Sequence, residues 1–137
     1  MPPTAATVIT PIVWITEAVI LAIHDEQLAH HGGATGLRDA GLLQSALARP
    51  KQRVAYADPD MAELAALHGL AIAQNPPFID GNKRTALVAL ELFLALNGHS
   101  LGASDADAVL AVLAMAAGTI SDDDFIEWVR GHAMARG

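Results

Sequence analysis

Residues 86–96 read ALVALELFLAL, a run in which only Glu91 carries charge. Wound as a helix, it is apolar on every side, and such a helix is stable in water only when neighbours cover all its faces. It is also too short for the roughly 20 residues that cross a bilayer. Pro76 and Pro77 stop whatever precedes it, and Asn97-Gly98 ends it, because proline breaks a helix and glycine takes the left-handed turn that closes one. The run predicts a helix over about 81–96 at the centre of a helical bundle.

The flanking segments supply the covering helices. Thr16 is placed to cap a helix running to His31, where Gly32-Gly33 stops it. Residues 39–48 make a shorter helix with Leu43, Ala46 and Leu47 on one face and Pro50 just beyond its end. Residues 51–59, KQRVAYADP, show no helical period and read as an extended surface loop or hairpin. Over 60–74, Leu64, Leu67, His68 and Ala71 fall at i, i+3, i+4 and i+7, an amphipathic helix that Asn75 ends because it precedes Pro76. A fifth helix is expected over about 104–117. A sixth starts at Ser121, with Asp122, Asp123 and Asp124 facing its positive end and Phe125, Trp128, Val129 and His132 inward. Residues 12–15 (IVWI) could form a short strand, and residues 1–11 should be loose. With no repeat or linker, residues 1–137 read as one all-α domain of about six helices with a short extended segment.

Composition narrows the function. Apolar residues make up 53% and charged residues 17% of the 137, enough for a sizeable core and against disorder. Without cysteine there is neither a disulfide framework nor a thiolate metal site. The net charge of −7 argues against a free-standing nucleic-acid binder, although Arg49, Lys51 and Arg53 form one local basic group and Lys83 and Arg84 another. The first Lys or Arg is Arg38, so a secretory n-region is not visible, and residues 108–120, the longest uncharged apolar run, are too short to span a membrane. A cytoplasmic protein with no membrane partner is the expectation.

The chemistry gathers just before the central helix, in PPFIDGNKRTA. The first turn of a helix offers unpaired N–H groups and a positive dipole end, and phosphate binds there if the backbone can approach, as Gly81 permits. Lys83 adds a mobile charge, Arg84 a planar fork, and Asn82 a side-chain amide. Asp80 would repel phosphate unless a divalent cation lies between them, as Mg²⁺ does between carboxylates and substrate phosphates. Asp80 as a plain N-cap, with Lys83 and Arg84 solvated, is the competing reading of the same spacing.

PPFIDGNKRTA resembles the signature of the Fic/Doc family, which runs His-Pro-Phe-x-Asp/Glu-Gly-Asn-Gly/Lys-Arg. Residues 24–52, HDEQLAHHGGATGLRDAGLLQSALARPKQ, are similar to its N-terminal part, and the helix order fits from Trp14 onward. The resemblance implies a compact Fic-like bundle that uses ATP and Mg²⁺. In that reading Phe78 anchors the loop, Asp80 handles the metal, Gly81 and Asn82 offer amides to phosphate, and Lys83 and Arg84 neutralise it. Residues 53–60, with Arg53, Val54, Ala55 and Tyr56, would form a flap for the target segment. Lysine at position 83 resembles the Doc branch, toxins held by an antitoxin that phosphorylate elongation factor Tu. Ordinary Fic proteins have glycine there and transfer AMP.

One position departs. The family's general-base histidine falls on Pro76, which has no ionisable group. None of the six histidines replaces it by position: His68 should face the core, His24 and His31 share a packing stripe with Leu21 and Leu28, and His30, His99 and His132 show no pattern. Two explanations stand side by side: a natural member that binds without catalysing, or an inactivating replacement in a toxin gene.

Overall fold

The computed structural model describes residues 11–136. Six helices follow one another as α1 (Glu17–His31), α2 (Ala40–Tyr56), α3 (Met61–Gln74), α4 (Asn82–Leu96), α5 (Asp105–Ala116) and α6 (Asp122–His132). Two short strands, β1 (His99–Leu101) and β2 (Ala133–Ala135), pair antiparallel with Ser100 opposite Met134. The looseness expected of residues 1–11 falls, but for Pro11, outside the described residues.

Most helix ends follow local capping. Thr16, Asp39, Asp60, Ser104 and Ser121 each accept an amide hydrogen from the first turn of the helix that follows. Each such cap contributes about 1 kcal/mol. α4 is the exception among the described helices: its N-cap is Gly81, and no side chain caps it. The unpaired end therefore belongs to the segment with the most chemistry.

The centre is a pair of helices. On α4, Leu90, Phe93 and Leu94 are fully buried, as the apolar run requires. Against it lies α3, where every residue from Leu64 to Ile72 is buried, more than its amphipathic spacing predicts. Small residues make this possible: a Cβ on Gly69 would already touch the Leu90 side chain at 3.4 Å, so the two backbones come close. Within this core His68 is 2% exposed. Its ring stacks on Phe93 at 4.4 Å and its Nδ1–H donates to the Leu64 carbonyl at 2.8 Å. The outer stripe of α4, with Leu87, Val88, Glu91 and Leu92, is only half covered. That face forms a groove wall.

Two expectations are corrected. Residues 51–56 are not an extended loop: α2 continues through Pro50 to Tyr56. Proline removes one backbone hydrogen bond, at about 3 kcal/mol in a helix interior. Here its ring is buried, and the turn beyond is fastened outward. The Lys51 ammonium lies 5.7 Å over the Trp14 ring, and Arg53 pairs with Glu63 of α3 at 2.6 Å. Residues 12–15 form no strand either. Val13 bonds to the Asn97 side chain through both its N–H and its carbonyl, and Ile15 joins the core.

Candidate functional site

The loop between α3 and α4 is held from outside by residues 36–39. The Arg38 guanidinium donates to the Pro76 carbonyl. The Pro77 carbonyl accepts the amides of Arg38 at 2.7 Å and Asp39 at 3.0 Å, and Ile79 N–H reaches the Gly36 carbonyl at 3.1 Å. From beneath, the Phe78 side chain is buried in the core, at 2% exposure. Asn82 returns to the same residue, its Oδ1 accepting from Phe78 N–H at 3.0 Å and its Nδ2 donating to the Phe78 carbonyl at 2.9 Å. The Asn82 side chain is therefore a loop clamp, and what it can offer a phosphate is its backbone amide.

Gly81 adopts the left-handed conformation at φ 77°, which glycine reaches without strain. A Cβ there would lie 3.2 Å from the Leu28 side chain. The turn frees the start of α4: among the described residues the amides of Asn82, Lys83 and Arg84 have no protein acceptor. Asp80 is not the N-cap. Its carboxylate accepts from Gly81 N–H at 2.9 Å and from Ala34 N–H at 3.2 Å. The Gly81 hydrogen bond, followed by that of Ala34, holds its pKa below the usual carboxylate value, and the Arg84 charge adds to this. Each oxygen keeps a lone pair for a cation.

These groups open into a cavity of about 780 Å³. Pro76, Asp80, Gly81, Asn82, Lys83 and Arg84 line one part, so the sequence-derived site residues other than the loop anchor and the flap share one wall. Among the described residues neither Lys83 nor Arg84 has an ion-pair partner. The rest is largely apolar, with Leu87, Val88, Val109, Val112 and Leu113, and also carries Gln27, His31, Glu91 and Asp105. Burial, then the nearby Asp105 charge, raises the Glu91 pKa. Among the described residues no group of three or more His, Asp or Glu could hold a metal alone. Asp80 with phosphate oxygens suits Mg²⁺, which keeps most of its shell in water and substrate.

Other expected residues lie elsewhere. Arg53, Val54, Ala55 and Tyr56, expected as an extended flap, form the last turn of α2 and do not line this cavity. The helix continues because Pro50 is buried and Arg53 is tied to Glu63. The basic group beside them is neutralised in part, Arg49 pairing with Asp122 at 3.5 Å. His31, expected to pack, is exposed and lines the cavity. Ala34 and Arg38, which grip the motif, carry no signal in the sequence beyond falling within the family-like segment 24–52. His24, expected to pack on a stripe with Leu21 and Leu28, is buried and also grips the motif.

Sequence comparison with known proteins identifies the family. The sequence model of the Fic/DOC family matches residues 14–94, from Trp14 through the whole of the loop and nearly all of α4. The chain is 38% identical over 85 residues to the protein kinase doc of Escherichia phage P1, covering 61% of this chain and 68% of that protein. It is 43% identical over 74 residues to the toxin Doc of Mycolicibacterium smegmatis, covering 53% of this chain and 57% of that one. The chain thus spans little more than half the length of the second relative. With the motif loop, its helix end and the α1–α4 frame all inside the matched region, the chain belongs to the Fic/Doc family, in its Doc branch.

Proposed function

We propose that this chain is the toxin of a toxin–antitoxin pair, with an intact Mg-ATP cradle and a catalytic base position filled by Pro76. The observation that carries the reading is the uncapped start of α4, where free amides, Lys83, Arg84 and the Asp80 carboxylate meet on one cavity wall. In this reading Mg-ATP supplies the phosphoryl group, with part of its charge already neutralised by the cation. The chain's residues bind and orient. The amides of Asn82 and Lys83 and the Arg84 fork hold phosphate oxygens, and Asp80 takes the cation.

The acceptor is a hydroxyl on a translation protein, elongation factor Tu by the family resemblance. The name of the phage relative, a protein kinase, favours phosphoryl over AMP transfer, and so does the Lys83 side chain where Fic proteins have glycine. Pro76 supports the second reading, a member that binds nucleotide and antitoxin without turnover. In either case the apolar part of the cavity, with Glu91 and Asp105 on it, suits an amphipathic antitoxin helix bearing a basic residue.

Calorimetry tests the cradle. The protein as it stands should bind Mg-ATP, and Arg84→Ala should weaken binding by about 10- to 100-fold, the loss of a charge-assisted hydrogen bond. Equal affinities in the two proteins would remove Arg84 from the site.

A further inference from the structure

α1 contributes one buried polar side chain to the motif loop, where it contacts two of the loop's residues and lies close beside a third. His24 is 3% exposed. Its ring lies flat on the Phe78 ring, with centroids 3.7 Å apart and planes 7° from parallel. Its Nε2 is 2.7 Å from the Asp80 carbonyl oxygen, so Nε2 carries a proton and donates it. Its ring edge lies 3.6 Å from where a Cβ on Gly81 would stand.

These contacts act on one peptide unit. The Asp80–Gly81 peptide is held at its oxygen by His24 and at its N–H by the Asp80 carboxylate. Its plane sets the left-handed turn at Gly81, and that turn aims the free amides of α4. We propose that His24 is the positioning residue of the phosphate cradle, fixing the Asp80–Gly81 peptide so that the α4 amides converge on the cavity. The assignment to phosphate rests on the Mg-ATP reading above. His24 itself is buried and does not line the cavity.

The two halves of the contact separate by substitution. His24→Phe keeps a ring on Phe78 and removes the donor. His24→Gln keeps a donor of similar reach and removes the stack. In the protein without nucleotide, hydrogen exchange at the Gly81 amide should rise at least tenfold in His24→Phe and return most of the way in His24→Gln. Exchange at Val129, in the buried core of α6, should stay unchanged. Mg-ATP affinity should follow the same order, roughly tenfold weaker in His24→Phe and largely recovered in His24→Gln.

Nitrogen NMR on the unaltered protein adds a measurement that no folding failure can spoil: His24 Nε2 should be protonated and coupled to the Asp80 carbonyl. An unprotonated Nε2 overturns the assignment. So does a Gly81 exchange rate unmoved in His24→Phe, or one that rises only in step with Val129, which would make His24 an ordinary core residue. If the unaltered protein binds no Mg-ATP, the nucleotide reading fails alone, and exchange and NMR still decide whether His24 sets the loop.

Discussion

Pro76→His should switch on transfer of the γ-phosphate of ATP to elongation factor Tu, by roughly 10²–10⁴-fold, the usual contribution of a positioned general base. The change adds an imidazole to the cavity wall that already carries Asp80, Lys83 and Arg84. The proline ring is not what holds the loop there. The carbonyls of Pro76 and Pro77 are gripped by Arg38 and Asp39, and Phe78 is clamped by Asn82. A histidine at position 76 therefore inherits a fixed path. Cells expressing Pro76→His without antitoxin should stop growing on induction, whereas the proline protein should be tolerated. Labelled ATP separates the chemistries: label from the γ position marks phosphorylation, and label from the α position marks AMP transfer. Transfer of neither label leaves the binding-only reading.

The second large effect is on stability, and it comes from His68. Burial, opposed by the hydrogen bond to the Leu64 carbonyl and assisted by the Lys51 charge, pushes its pKa down to about 4. The unfolded chain binds the proton near pH 6.5 while the folded chain refuses it. His68 thus adds nothing unfavourable above pH 6.5 and costs stability as pH falls from there to 4. Linkage puts the loss at about 2 kcal/mol by pH 5 and about 3 kcal/mol by pH 4. Glu91 works the other way. Its raised pKa lets the folded state take up a proton first, which returns some stability as pH falls toward 4.5. Urea midpoints at pH 7 and pH 5 check the balance. His68→Phe, which keeps an aromatic ring beside Phe93, should flatten the slope between them. An equally steep slope in the variant would place the titrating group elsewhere.

Where local chemistry decides the structure, the sequence discloses it. Thr16, Asn75 and Ser121 end or begin helices where their capping and pre-proline preferences place them. The apolar run at 86–96 marked the central helix because solvent leaves such a helix no alternative. Pro50 misled for the opposite reason. A proline preference of about 3 kcal/mol is local, and it was outweighed by burial and by contacts to Trp14 and Glu63 that no spacing discloses. The two three-residue strands were invisible because their pairing joins residues more than thirty positions apart.

The candidate site divides in the same way. Asp80, Gly81, Lys83 and Arg84 fall within five consecutive residues, so their meeting at one helix end is legible. Asn82 was legible as a polar group and misjudged in direction, because its side chain turns back to Phe78. His24, Ala34 and Arg38 come from α1 and the strap after it, and only the fold brings them to the loop.

Nucleotide phosphate seated on the uncapped start of α4 should be visible residue by residue in amide NMR of the unaltered, ¹⁵N-labelled protein. On titration with Mg-ATP, the largest shifts should fall on the amides of Gly81, Asn82, Lys83 and Arg84, with smaller ones at Ala34, which shares the Asp80 carboxylate. Shifts confined to the neighbourhood of Arg49 and Arg53, or none at all at millimolar Mg-ATP, would mean that the start of α4 holds no nucleotide phosphate.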